Sequence, residues 1–242
     1  MTKKTTKNYL RIFAFLMFLL PIGAFAQTTP NVYLCGTGTV KLTPAFTGYT
    51  PVAGDKIIWT VDGTAQGPVT YNVAADAIFN VPATLTAGTH TYSVQVIPAD
   101  ANLCPSDASD NTVVEKLPPP AITVNAPGSV YCTDQTASTV ITASKDAGLT
   151  LPAGVSLVYT WTATKGGVAV SDPTTLGAVS GTNNELFTLK AGVAPEAYVF
   201  TAEGKYAVGS ALIVPSTSCT ATASKAITVT VKPGKATIAV AP

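Results

Sequence analysis

Short runs in which apolar residues alternate with Thr, Ser, Lys or Gln recur along most of the chain. Gly, Pro, Asn and Asp interrupt them about every 8 to 12 residues. The clearest runs are Ile57-Ile58-Trp59-Thr60-Val61, Tyr92-Ser93-Val94-Gln95-Val96, Val158-Tyr159-Thr160-Trp161-Thr162 and Ile227-Thr228-Val229-Thr230-Val231. A period of two sends successive side chains to opposite faces of a strand, and β-branched and aromatic residues suit a half-buried pleated surface. Beyond the first 26 residues no stretch keeps the 3.6-residue period of an amphipathic helix. The pattern predicts an all-β chain. Only the start departs from it: Lys3, Lys4, Lys7 and Arg11 precede an unbroken apolar run over 12–20, Pro21 and Gly23 end that run, and Ala24-Phe25-Ala26 offers a cleavage site. The run is short of the roughly 20 residues that span a bilayer. Residues 1–26 therefore read as a cleaved signal peptide, with export, a mature start at Gln27 and no membrane span afterwards.

The rest of the chain repeats itself. Val32-Tyr33-Leu34-Cys35 returns as Val130-Tyr131-Cys132, the Trp59 strand as the Trp161 strand, and the turn Asp62-Gly63 as Gly166-Gly167. A Gly-led run to Tyr92 returns as Gly204-Lys205-Tyr206, with Cys104 and Cys219 following twelve and thirteen residues later. Leu117-Pro118-Pro119-Pro120 separates the copies as a short semi-rigid spacer. The expected organisation is a first sandwich over 27–117, a second over 118–233, and a separate strand over 234–242. Four cysteines in an exported chain point to two disulfides. The repeat pairs Cys35 with Cys104 and Cys132 with Cys219, one bridge inside each copy.

This order of Cys35 and Cys132, Trp59 and Trp161, Tyr92 and Tyr206, then Cys104 and Cys219 resembles the Ig-like, PKD-like repeats of bacterial cell-surface proteins and adhesins. The resemblance covers nearly all of the mature chain. It implies two tandem Ig-like antiparallel β-sandwiches, a role in adhesion or scaffolding, and no catalysis. In antibody domains the cysteines sit on facing core strands about the tryptophan; here Cys35 and Cys132 precede their second strands and Cys104 and Cys219 sit in a late loop, so each bridge is expected to tie one end of its sandwich.

Composition narrows the function further. Charged residues make up 11% of the chain, and its only Arg lies in the signal peptide. Without Arg, and with Lys scattered singly, the mature chain has neither bidentate base readers nor a basic stripe, which excludes nucleic acid as a partner. The chain holds one histidine, His90, which rules out a multi-histidine metal site within one chain. Asp100, Asp107 and Asp110 lack the spacing of an EF-hand loop and read as a solvated loop around Cys104. Gly36-Thr37-Gly38 has no following Lys and no helix, so it is not a phosphate loop. Trp59, Trp161, Tyr92 and Tyr206 recur at matching positions and read as core. No catalytic residue, metal or cofactor is expected.

The second copy opens with Ile122-Thr123-Val124-Asn125-Ala126-Pro127, for which the first has no counterpart, while the chain closes with Ile238-Ala239-Val240-Ala241-Pro242. One module lacks a first strand and one first strand lacks a module. Two functions fit. The chain is the N-terminal part of a longer repeat adhesin whose third module starts at this strand. Alternatively, it is a pilus-like filament subunit that inserts 236–242, through Ile238, Val240 and Pro242, into the open edge of the next subunit. Partners are thus further Ig-like repeats or other copies of the chain, with a surface glycan or protein as ligand. A third reading, a carbohydrate-binding module of a secreted hydrolase, requires Tyr49, Tyr71 and Phe79 to form an exposed row. The long stretch 163–184 of the second copy is the loop expected to carry any ligand site.

Overall fold

The computed structural model describes residues 29–215 and 219–238. The expected signal peptide lies outside them, as do Val240 and Pro242 of the expected assembly strand.

In the first half, β1 (Val32–Leu34), β2 (Val40–Leu42), β3 (Lys56–Val61), β4 (Thr64–Ala65), β5 (Val69–Thr70), β6 (Phe79–Val81), β7 (Gly88–Ile97) and β8 (Thr112–Lys116) form two sheets. One runs β1-β8-β7-β3-β4, with β5 also on β3; facing it is the antiparallel pair β2-β6. Strand β1 lies parallel to β8, and the other pairs are antiparallel. The alternation read in the sequence sends Ile57, Trp59, Tyr92 and Val96 inward, where they are buried with Leu34, Leu42, Val81 and Val114.

In the second half, β9 (Ile122–Asn125), β10 (Val130–Cys132), β11 (Val140–Lys145), β12 (Val155–Lys165), β13 (Val168–Ala169), β14 (Gly177–Ser180), β15 (Leu186–Leu189), β16 (Glu196–Val208), β17 (Leu212–Val214) and β18 (Thr220–Thr230) follow. Their sheets run β10-β18-β16-β12-β13 and β14-β15-β11-β9. A parallel edge strand on one sheet and an antiparallel stack facing it make each half an Ig-like β-sandwich. The turns Asp62-Gly63 and Gly166-Gly167 have positive φ at both positions, as two-residue hairpins matching strand twist require.

Three expectations are corrected. The stretch 163–184 is not one long loop: it holds the end of β12, β13, a 3-10 turn over Pro173–Thr175 and β14, a strand with no equivalent in the first sandwich. Tyr206 is not the counterpart of Tyr92. Trp59 pairs with Val94 and Trp161 with Ala202, which aligns Tyr92 with Phe200; Tyr92 packs on Phe79 as Phe200 packs on Phe187. Nor is Pro118–Pro120 a spacer between independent bodies. Leu117 is 1% exposed, and Tyr33, Cys35 and Leu117 of the first sandwich join the core cluster of the second.

Candidate functional site: a locked junction and a bare strand edge

The loop between β16 and β18 leaves its own sandwich and contributes β17 to the other. Leu212, Ile213 and Val214 pair in parallel with Val32, Tyr33 and Leu34, and the Cys35 N–H donates to the Val214 carbonyl at 3.0 Å. This covers the outer edge of β1, which would otherwise offer a row of unpaired backbone groups. The same loop brings Cys219 to Cys35, and the two form a disulfide with Cα atoms 5.7 Å apart. The Tyr206 hydroxyl reaches back to the Pro118 carbonyl at 2.9 Å.

The expected pairing is therefore overturned: Cys35 bonds Cys219, and Cys104 and Cys132 are free. Strand geometry gives the reason. Cys132 lies opposite Thr230 at one end of β18, whereas Cys219 precedes Thr220 at the other. Ten strand residues at about 3.3 Å hold them roughly 33 Å apart, against a Cα limit near 7 Å for a disulfide. Likewise Cys35 sits beside the Lys116 end of β8, and Cys104 lies in the β7–β8 loop at the Thr112 end. The spacing from Tyr92 and Tyr206 misled because those tyrosines are not equivalent. Residues Leu212–Val214 are an apolar run whose partner strand lies in the other sandwich.

The remaining candidates are placed as follows. Trp59 and Trp161 are 7% and 5% exposed, and Tyr92 and Tyr206 are buried. Each indole N–H donates to a carbonyl, of Ala77 and Asn184 respectively. Tyr49, Tyr71 and Phe79 make no exposed row: Phe79 is wedged between Trp59 and Tyr92, and the Tyr49 hydroxyl donates to Asp55 at 2.7 Å. Asp100 accepts from Asn102 in a local turn, and no three metal-ligating side chains gather among the described residues. His90 faces Asp62 at 2.7 Å and the Thr86 carbonyl at 3.0 Å. Lys116, 6% exposed, donates to the carbonyls of Gly36 and Ala83 beside the junction, and burial pushes its ammonium pKa down.

The second feature is on the far side of the first sandwich. A groove of about 390 Å³ opens between β2 and the β7–β8 face, lined by Val32, Val40, Leu42, Trp59, Tyr92 and Val94. It continues for about 370 Å³ past Phe46 and Tyr49 towards the β7–β8 loop. In the second sandwich β9 lies along the equivalent edge. The tail residue Ile238 is 96% exposed and belongs to no strand. No helix among the described residues is long and apolar enough to cross a membrane.

No family model and no curated protein matches the chain. Solved structures match by shape. A three-Ig fragment of titin, domains I67–I69, is 12% identical over 82% of this chain with a TM-score of 0.46, and the chain spans 62% of that fragment's length. The fibronectin(III)-like modules of Clostridium thermocellum CbhA are 11% identical over 86% of this chain and 92% of theirs, with a TM-score of 0.36. Murine CEACAM1b is 9% identical over 82% of this chain and 96% of its own, with a TM-score of 0.35.

Proposed function

We propose that the chain is a non-enzymatic structural or adhesive module, exported to a bacterial cell surface, in which two Ig-like sandwiches are held as one stiff unit. The observation that carries this reading is the junction: a covalent Cys35–Cys219 bond and the β17–β1 pairing tie the loop of one sandwich to the edge strand of the other. Tandem domains joined only by a linker move relative to one another by default. Here a crosslink, a shared sheet and a shared apolar cluster oppose that motion, which suits a spacer that presents or bears load. The disulfide also fits an oxidising compartment outside the cytoplasm, in keeping with the signal peptide.

Small-angle scattering on the exported full chain tests the reading. The expected profile is that of a single stiff elongated particle, and the double variant Cys35→Ser, Ile213→Pro broadens the distribution of interdomain distances. A wild-type profile already that of two freely hinged bodies overturns it.

A further inference from the structure

We propose that the chain joins a second copy of itself head to tail: the tail strand of one molecule completes the first sandwich of the next, and Cys132 of one bonds Cys104 of the next. The proposal rests on the reading of the chain as a structural module and identifies its partner.

The receiving edge is half a strand waiting for a neighbour. In the second sandwich β11 is six residues long; Val140, Ile141 and Thr142 pair with β15, whereas Thr142 to Lys145 pair with β9. Leu42 pairs with Phe79 as Ile141 pairs with Phe187, so Thr43 to Phe46 match Thr142 to Lys145. Those four residues keep a strand's alternation, Thr43 and Ala45 exposed and Pro44 and Phe46 half-buried. Yet none of them takes part in any of the backbone hydrogen bonds found outside the ladders. Pro44 does not block pairing. Its counterpart Ala143 sends its N–H to the Glu185 carbonyl, away from β9, so the N–H groups of Thr43 and Ala45 face the open side. Val94 is half-exposed in the groove, whereas its counterpart Ala202 is fully buried. The Tyr92 hydroxyl is the one buried side-chain oxygen or nitrogen without a hydrogen-bond partner among the described residues, and its side chain lines this groove. A strand added here supplies backbone carbonyls beside it.

The occupant is the segment around Ile238 and Val240, which repeats the spacing of Ile122 and Val124. In the register of β9, Ile238 lies beside Phe46 and Val240 beside Pro44. The chain's own tail cannot do this. It leaves β18 at Thr230, about 33 Å along the strand from the junction. The eight residues to Ile238 span at most about 29 Å, too few to pass the junction and reach β2.

The free cysteines mark the same contact independently. Within one chain, a cysteine after the edge strand β1 bonds a cysteine in the loop before the last strand, β18, of the following sandwich. Cys132 ends β10, the matching edge strand, and Cys104 lies in the matching loop of the first sandwich. Both are free, and each lies at the end of its sandwich away from the junction, so no single chain can bring them together. Cys104 borders a small cavity with Tyr49 and Leu103, at the end of the groove where the incoming strand enters. In register Cys132 falls level with Cys35, and the stretch from Val229 to Ile238 is three residues longer than that from Lys116 to Ile122.

Bond formation needs an oxidant, here a disulfide-bonded donor such as oxidised glutathione or a thiol oxidase of the envelope. The Cys132 thiolate attacks the donor disulfide, forming a mixed disulfide and expelling one donor thiolate. The Cys104 thiolate of the second copy then attacks the Cys132 sulfur and expels the other. Two protein thiols are oxidised, and the donor takes up both electrons and both protons.

The test uses the full chain, expressed with its signal peptide, recovered after export and treated with oxidised glutathione. Non-reducing electrophoresis is expected to show a ladder of multimers, with mass spectrometry finding a peptide that joins Cys104 to Cys132. Cys104→Ser and Cys132→Ser each abolish the ladder, and mixing the two gives dimers only. The double variant Ile238→Asp, Val240→Asp retains every cysteine and crosslinks at least tenfold more slowly. The proposal is overturned if the wild type stays monomeric, if like cysteines pair, or if the Asp variant crosslinks at the wild-type rate. A monomer with a stiff scattering profile removes this proposal and leaves the structural-module reading standing. A ladder built from freely hinged molecules does the reverse.

Discussion

Asp55 is a fully buried carboxylate in the first sandwich. The Ala99 N–H, the Tyr49 hydroxyl and the Val52 N–H all donate to it, at 2.8, 2.7 and 2.9 Å. Together they hold its carboxyl below the usual range against the opposing effect of burial. A depressed carboxylate pKa adds stability above the unfolded value near 3.9 and loses it as pH falls through the folded value. Asp55→Asn is therefore expected to lower the calorimetric Tm at pH 7, with the gap to wild type narrowing below about pH 4. His90 shows the opposite sign. Burial works against its charge, but its two ring nitrogens face only acceptors, Asp62 and the Thr86 carbonyl, and these raise its pKa. Stability from that pair is complete below the unfolded value near 6.5 and is lost as pH rises through the folded one. The denaturant midpoint should fall between pH 6 and pH 9, and His90→Gln should flatten the slope. With the Asp62 side chain 46% exposed, the effect is about 0.5 kcal/mol. The tryptophans were legible as core from their β-branched neighbours. Asp55 was not, because nothing in its sequence context announces two donors from its own loop and a third from the β7–β8 loop.

Among elements, periodicity located the strands on which both sandwiches turn, β3, β7, β12 and β18, because one face of each is buried and enforces alternation. It failed at β17, three apolar residues whose partner lies in the other sandwich; no local pattern encodes a pairing between Leu212 and Val32. The strand missing from the first sandwich was legible as a count, and the half-paired β2 is its physical trace. The disulfide pairing was not legible, since the repeat aligned Tyr206 with Tyr92 and hid the six-residue offset to Phe200. Cys219→Ser tests the corrected bond. Closing a loop of sequence separation 184 is worth about 5 kcal/mol in the chain-entropy model, with engineered cases often lower. The guanidinium midpoint of the variant should fall markedly, and reductant should bring the wild type to the same value.

For the molecule as a whole, the bond between Cys35 and Cys219 decides where tension goes. A pull on the two ends enters near β1, crosses the sulfur bridge and leaves through β18, so the 183 residues between the two cysteines carry none of it. Both apolar cores, apart from β1 and β18, lie off the load path. In single-molecule pulling, the oxidised chain should extend only by its short outer segments. Adding reductant should release about 660 Å of hidden contour, at roughly 3.6 Å per residue. A sandwich normally resists force by shearing its terminal strands; this one is bypassed, and its resistance is set by a covalent bond and by the redox state of its surroundings.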